Sequence, residues 1–249
     1  MKAYSALPFT FFIWLSCTAY KPVVIIHGVW DLRFSLDFLA DQITEYHPGT
    51  EVHVVDMLHG WKSLAPLWYQ VKSFYSHIRP IMDASQDGII LIDDFLRLIF
   101  PQYIKETAYE VFYSRVGQRV SVANYWNDPH HQTLYYKYSN YLPYLNNEIN
   151  ESYQKFYRNN FMKLKKLVLI GGPDDGVITP WQSSHFGYFD KEENVTEMRD
   201  QFFYQNDLFG LRSLDKAGKI KMYEVPGVYH TDWHHNVSVI KNCILPWLD

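Results

Sequence analysis

The chain has 249 residues, enough for one large domain with a well-buried core. Its net charge is -4 and no basic block or stripe runs along it, which argues against a nucleic-acid partner. Aromatic residues make up 18% and are concentrated in Tyr, which suits either an aromatic-lined groove or a tyrosine-rich insert.

Met1-Lys2 is followed by an apolar stretch from Leu7 to Leu15 and then Ser16-Cys17-Thr18-Ala19. One basic residue, a short apolar core and a small-x-small ending predict a secretory signal peptide over residues 1–19, cut after Ala19. It is too short to span a bilayer, and no other run approaches membrane length, so no stable membrane insertion is expected. Residues 20–249 then form the mature, lumenal chain. Asn-x-Ser/Thr sites at Asn150, Asn194 and Asn236 fit that route as glycosylation acceptors. Cys17 leaves with the signal, so Cys243 remains alone and is expected to be a buried apolar thiol, the alternative being a pairing with another chain.

Pro22 to Ile26 is a continuous β-branched run, the pattern of a parallel strand buried on both faces, and it ends in His27-Gly28-Val29-Trp30. Ser35 to Glu45 has helical spacing and stops at His47-Pro48-Gly49. Val52–Asp56 predicts a second strand, Leu64–Met82 a long helix and Gly88–Ile92 a third strand. Strand, helix, strand, helix, strand predicts an α/β fold with a doubly wound, mostly parallel sheet. The pattern then breaks. Ile92 passes to Asp93-Asp94 and Phe95-Leu96-Arg97 with no glycine turn and no crossover helix. A polar, Tyr-rich, cap-like insert follows at about 103–160. Order returns with a strand at Lys166–Ile170, a mixed helix around Val195–Asn206, a strand at Ile220–Val225 and a last helix from about Val237. One domain with an insert is expected.

Two loops carry chemistry. Gly171-Gly172-Pro173-Asp174-Asp175-Gly176 ends a strand and presents carboxylates, and Pro226-Gly227-Val228-Tyr229-His230 presents a histidine 55 residues after Asp175. These are the acid and the base of a Ser-His-Asp triad in the chain order Ser, Asp, His. The serine should sit in a Gly-x-Ser-x-Gly elbow upstream. None of the 12 glycines has a serine two residues on.

Several stretches together resemble the palmitoyl-protein thioesterase family: His27-Gly28, His47-Pro48-Gly49-Thr50, Leu64-Ala65-Pro66-Leu67-Trp68, Asn124 to His131, the block Leu167 to Ser184, and Pro246-Trp247-Leu248. They occur in the family's order over nearly all of the mature chain. The resemblance implies an α/β-hydrolase fold, no metal or organic cofactor, and hydrolysis of long-chain acyl thioesters such as palmitoyl-CoA in the lysosome. It implies Asp175 as the acid, with Asp174 the weaker candidate, and His230 as the base. The backbone N–H of Val29 takes the place of one oxyanion donor. The family's strand-elbow-helix-strand unit is missing between Ile92 and Asp93, a gap of roughly 35 residues against the dozen that a crossover needs as a minimum. With it go the nucleophile and the second oxyanion donor. A clean gap of this kind looks like a skipped exon or a faulty gene model.

Three other readings compete with the triad. His230, Asp232 and His234 alternate, so an extended segment would turn all three to one face, with His235, Asp128, His130 and His131 as further ligands for Zn. No His-Glu-x-x-His spacing accompanies them, and no metal is expected. Cys243, Ser183 and Ser184 lack the small-residue turn that exposes a nucleophile. A non-catalytic acyl-lipid binder or decoy would keep a groove lined by Trp30, Trp61, Trp68, Trp126 or Trp181 without the chemistry. No sequence feature identifies a protein partner.

Overall fold

The computed structural model describes residues 20–32, 34–93, 108–149 and 154–249. The expected signal peptide, Asn150 and the start of the insert lie outside the described residues.

Strand β1 (Val23–Ile26) is buried along its whole length. It runs parallel to β2 (Val52–Val54) on one side and β3 (Ile90–Asp93) on the other, in the order β2-β1-β3. Alternation along β1 fills two cores. Val23 and Ile25 pack with Leu39 and Ile43 of helix α1 (Asp37–Tyr46) and with Ile240 and Leu248 near the C-terminus. Val24 and Ile26 face the other way, against Val55 and against Ile78, Phe74 and Ile81 of helix α2 (Leu67–Ala84). A strand covered by helices on both faces is what the unbroken β-branched run demands. Pro66 fixes the entry to α2, and the first N–H of that helix, on Leu67, donates to Asn124 Oδ1 at 2.9 Å. The insert is thereby pinned to α2.

The second sheet pairs β4 (Leu167–Gly171) with β7 (Ile220–Glu224), again in parallel, with Leu167 opposite Ile220 and Gly171 opposite Glu224. One face packs on Phe203, Phe209 and Leu211, the other on Val228, Val239 and Cys243. Cys243 is buried, as the sequence predicts.

Three expectations need correction. A single sheet is not formed: among the described residues β3 and β4 do not pair, and the parallel strands fall into two groups. Leu91, in register with Val24 and so on the face that α2 covers, is 53% exposed. Among the described residues nothing packs on its face of β3, where β1 beside it is covered. The third strand also starts later than expected, at Ile90, because Gly88 (φ 87°) turns the chain and its N–H closes back on Ser85 O at 3.0 Å. Finally, Val195–Asn206 is not one helix. Val195 and Thr196 form strand β6, paired antiparallel with β5 (Tyr188–Phe189). A single turn at Met198–Asp200 follows, and extended Gln201 (ψ 144°) breaks the chain before the short helix at Phe202–Gln205.

The described part of the insert is a set of short helices at Ala108–Phe112, Ser121–Asn124, Gln132–Tyr138, Leu142–Leu145 and Gln154–Phe161. Its tyrosines mostly pack on one another: Tyr113, Tyr135, Tyr141 and Leu142 are buried with Leu67, flanked by Trp68, Tyr125 and Trp126.

Candidate active site

The turn after β4 requires its glycines. A Cβ on Gly172 would lie 2.0 Å from Val225 O, and one on Gly171 2.0 Å from Ser184 Oγ. Only bare backbone lets the strand end pack this tightly, and Gly176 (φ 78°) then reverses the chain. Asp175 is held between these glycines and is buried. After β7, Gly227 (φ 76°) turns the chain so that the His230 N–H meets Asp175 O at 2.9 Å.

The two side chains meet directly. His230 Nδ1 lies 2.9 Å from Asp175 Oδ2 and 3.1 Å from Oδ1, both residues being buried. The carboxylate also accepts the Trp233 indole N–H at 2.7 Å and the backbone N–H groups of Ile178 and Val177 at 2.7 and 3.1 Å. Burial pushes the Asp175 carboxyl up, but the hydrogen bonds from His230, Ile178 and Trp233 outweigh it and hold the group below the usual carboxylate range. An ionised acid on Nδ1 selects the tautomer whose basic nitrogen is Nε2, the arrangement a general base needs. Asp174 is engaged elsewhere, accepting the Gly227 N–H at 2.7 Å, so the geometry gives Asp175 and not its neighbour to the histidine.

Val29 follows β1 and is buried. The amides on either side of it are used: Gly28 N–H donates to Asp31 Oδ2 at 2.9 Å and Trp30 N–H to Ser63 Oγ at 2.8 Å. Among the described residues the Val29 N–H has no partner. Asp31 and Ser63, which shape this loop, were not legible in the sequence, and neither was Trp233. Each acts through folded proximity without a spacing of its own.

The other candidates do not assemble. His230–Asp232 is a tight helical turn, so His230, Asp232 and His234 do not share one face of an extended segment. His130 pairs with Glu193 at 3.0 Å and His131 with Asp128 at 3.0 Å. Among the described residues no three His, Cys, Asp or Glu side chains are grouped to hold a metal. The Ser184 hydroxyl donates to Trp181 O at 2.8 Å. Of the sequons, Asn194 is exposed beside the β5–β6 turn, while Asn236 Oδ1 caps the last helix by accepting from Ser238 and Val239 N–H at 2.9 and 3.2 Å.

Parallel strands with helices on their faces, a carboxylate on the turn after one strand and a histidine on the loop after its neighbour are the marks of an α/β-hydrolase-like protein. The comparisons narrow this class, for the family model described as palmitoyl protein thioesterase matches residues 84–230, and the chain belongs to that family. It is similar to the lysosomal thioesterase PPT2 of Rattus norvegicus (40% identical, covering 92% of this chain and 88% of the relative) and of Homo sapiens (39%, with the same coverage). It is likewise 40% identical to the Drosophila melanogaster homologue, with 93% of each chain covered. The rat alignment spans 267 positions, more than the 249 residues present here. Since 92% of 249 is about 229, about 38 of those 267 positions are gaps in this chain.

Among the described residues no helix is long and apolar enough to cross a membrane.

Proposed function

We propose that this chain is a thioesterase of the lysosomal lumen by descent that retains the acid, the base and one oxyanion donor but has lost its nucleophile. Asp175 is the acid, His230 the base and the Val29 N–H the remaining oxyanion donor. The substrate class is long-chain acyl thioesters such as palmitoyl-CoA. Residues 20–249 form one domain, and the strand-elbow-helix unit is deleted after Ile92.

The observation that carries this reading is the Asp175–His230 contact at 2.9 Å in a chain with no Gly-x-Ser-x-Gly. Two others support the deletion. The sheet divides between β3 and β4, where a further parallel strand would join them, and Leu91 lies exposed on the face a crossover helix would cover. The gaps in the alignment to the rat relative are of the size of the missing unit. Without its serine, a triad enzyme keeps only the residual rate that binding and the oxyanion hole supply, and here half of that hole is missing too.

The test is a chimera in which the corresponding segment of the rat relative is inserted between Ile92 and Asp93. Palmitoyl-CoA hydrolysis is expected to appear in the chimera and to vanish again on His230→Ala. A folded chimera that stays inactive would overturn the assignment of Asp175 and His230. A reading as a non-catalytic acyl-lipid binder predicts instead that the unmodified chain holds palmitoyl-CoA without turnover.

A further inference from the structure

His27 is a buried titratable group that the acid and base leave unused. It follows β1, and both of its ring nitrogens face backbone carbonyls. Nδ1 lies 2.9 Å from Gly28 O, and Nε2 lies 2.6 Å from Met57 O in the loop after β2. A carbonyl oxygen only accepts, whereas a neutral imidazole carries a single N–H. At 2.6 Å an unprotonated Nε2 would set its lone pair against that of the oxygen, so Nε2 takes the first proton. In the neutral ring Nδ1 then meets Gly28 O lone pair to lone pair. The doubly protonated ring donates to both.

Gly28 O belongs to the same peptide group as the Val29 N–H. A donor on that oxygen fixes the peptide plane and polarises the N–H at its other end. The Gly28 N–H is held as well, by the buried Asp31 carboxylate at 2.9 Å. Gly28 is thus gripped at its N–H by an anion and at its C=O by the ring, so the buried charge of the ring is compensated within one loop. The other titratable neighbours are His59 and Asp93. The His59 ring lies 6.4 Å from that of His27, with its Nδ1 3.4 Å from Asp56 Oδ1, and Asp93 ends β3 opposite Ile26. Helix α2 presents the uncharged Phe74 ring at 6.0 Å. When the ring gives up its Nδ1 proton, Gly28 O keeps the longer contact from the Asp31 N–H at 3.4 Å.

We infer that His27 is a positioning residue for the oxyanion donor: doubly protonated, it holds the peptide that carries the Val29 N–H, and loss of one ring proton loosens that peptide. The inference rests on the reading of Val29 as the oxyanion donor, so its test has one arm that needs no activity.

The first arm is nitrogen NMR of the mature chain labelled in histidine and backbone, with the His27 signals identified by their absence from His27→Asn. At pH 5 both His27 ring nitrogens are expected to carry protons. The Val29 amide signal should shift in step with the ring as the pH is raised until one proton leaves. A ring singly protonated at pH 5, or a Val29 amide indifferent to the titration, would overturn the inference. The second arm measures palmitoyl-CoA hydrolysis by the chimera carrying the segment of the rat relative. His27→Phe removes both donors and should lower kcat about tenfold with KM unchanged, less than the roughly hundredfold or more that deleting an oxyanion donor costs. His27→Asn places an amide N–H where Nδ1 stood, so it should recover most of kcat and make it independent of the ring's titration. Circular dichroism checks each fold, and if His27→Phe fails to fold, His27→Asn and the first arm decide. A loss confined to KM would overturn the inference. A doubly protonated ring with kcat unchanged in His27→Phe would overturn the reading of Val29 and the inference with it. A chimera without activity counts against the acid and base, and the first arm then decides on His27.

Discussion

Asp175 has more hydrogen-bonding partners than orientation of one histidine requires. Its carboxylate accepts from His230, Trp233, Ile178 and Val177, so it ties the loop after β4 to the loop after β7. Truncation to Ala would remove the carboxylate that accepts from the buried His230 ring and from the half-buried Trp233 indole N–H, at about 1–3 kcal/mol for a buried donor and less for a half-buried one. We predict that Asp175→Ala lowers the melting temperature clearly, and Asp175→Asn less, because the amide still accepts. The pH dependence has a defined sign. The folded carboxyl sits below its ordinary value, so its stabilising contribution is complete above about pH 4 and fades as pH falls through the depressed value. Thermal melts below pH 4 should therefore fall more steeply for the unmodified chain than for Asp175→Asn, and parallel curves would contradict this. At the sequons, an endoglycosidase should shift the mobility of secreted material, and Asn194→Gln should remove part of that shift. An unchanged mobility would count against the secretory route.

At the level of elements, the insert holds a half-buried acid, Glu148, shifted in the opposite direction. The fully buried Tyr135 donates its hydroxyl to Glu148 Oε2 at 2.7 Å. Burial pushes the Glu148 carboxyl up, and hydrogen bonds from Tyr135 and Asn146 offset this only in part. A raised folded value favours the protonated form on folding, so this contribution is complete below the ordinary glutamate range and is lost as pH rises through the raised value. Protection factors across 108–149, with exchange corrected for its intrinsic pH dependence, should rise between pH 7 and pH 5, and Glu148→Gln should flatten that response. An unaltered response in the variant would refute the assignment. Much of the framework was legible in the sequence because burial writes a period into it. The unbroken Val23-Val24-Ile25-Ile26 run gave a doubly covered strand, and the three-and-four spacing through Leu67, Val71, Phe74, Ile78 and Ile81 gave α2, although Val71 itself is 43% exposed. The β5–β6 hairpin was not legible, since two-residue strands are too short to show alternation and its turn is set by Asp190 Oδ1 accepting from Glu192 and Asn194 N–H. At the site, Asp175 and His230 stood out through their glycine turns, whereas Trp233, Asp31 and Ser63 act through contacts that only folding creates.

For the whole molecule the consequence of the divided sheet is energetic. In a doubly wound fold an interior parallel strand receives hydrogen bonds from two neighbours and apolar cover from both faces. Among the described residues β3 pairs only with β1 and β4 only with β7, and Leu91 is exposed on the bare face. Total stability of a domain is about 5–15 kcal/mol, so a few such losses weigh heavily. The chain is expected to melt at a lower temperature and to aggregate more readily than a version with the strand-elbow-helix unit restored, and a calorimetric transition equal to that of the restored protein would contradict this. The proposed loss is narrower: acid and base remain while the nucleophile is gone. Its most direct test is the rate of palmitoyl-CoA hydrolysis by the purified mature chain, with and without His230→Ala. No turnover above buffer is expected from either protein, and turnover by the unmodified chain that His230→Ala abolishes would show that a nucleophile is present.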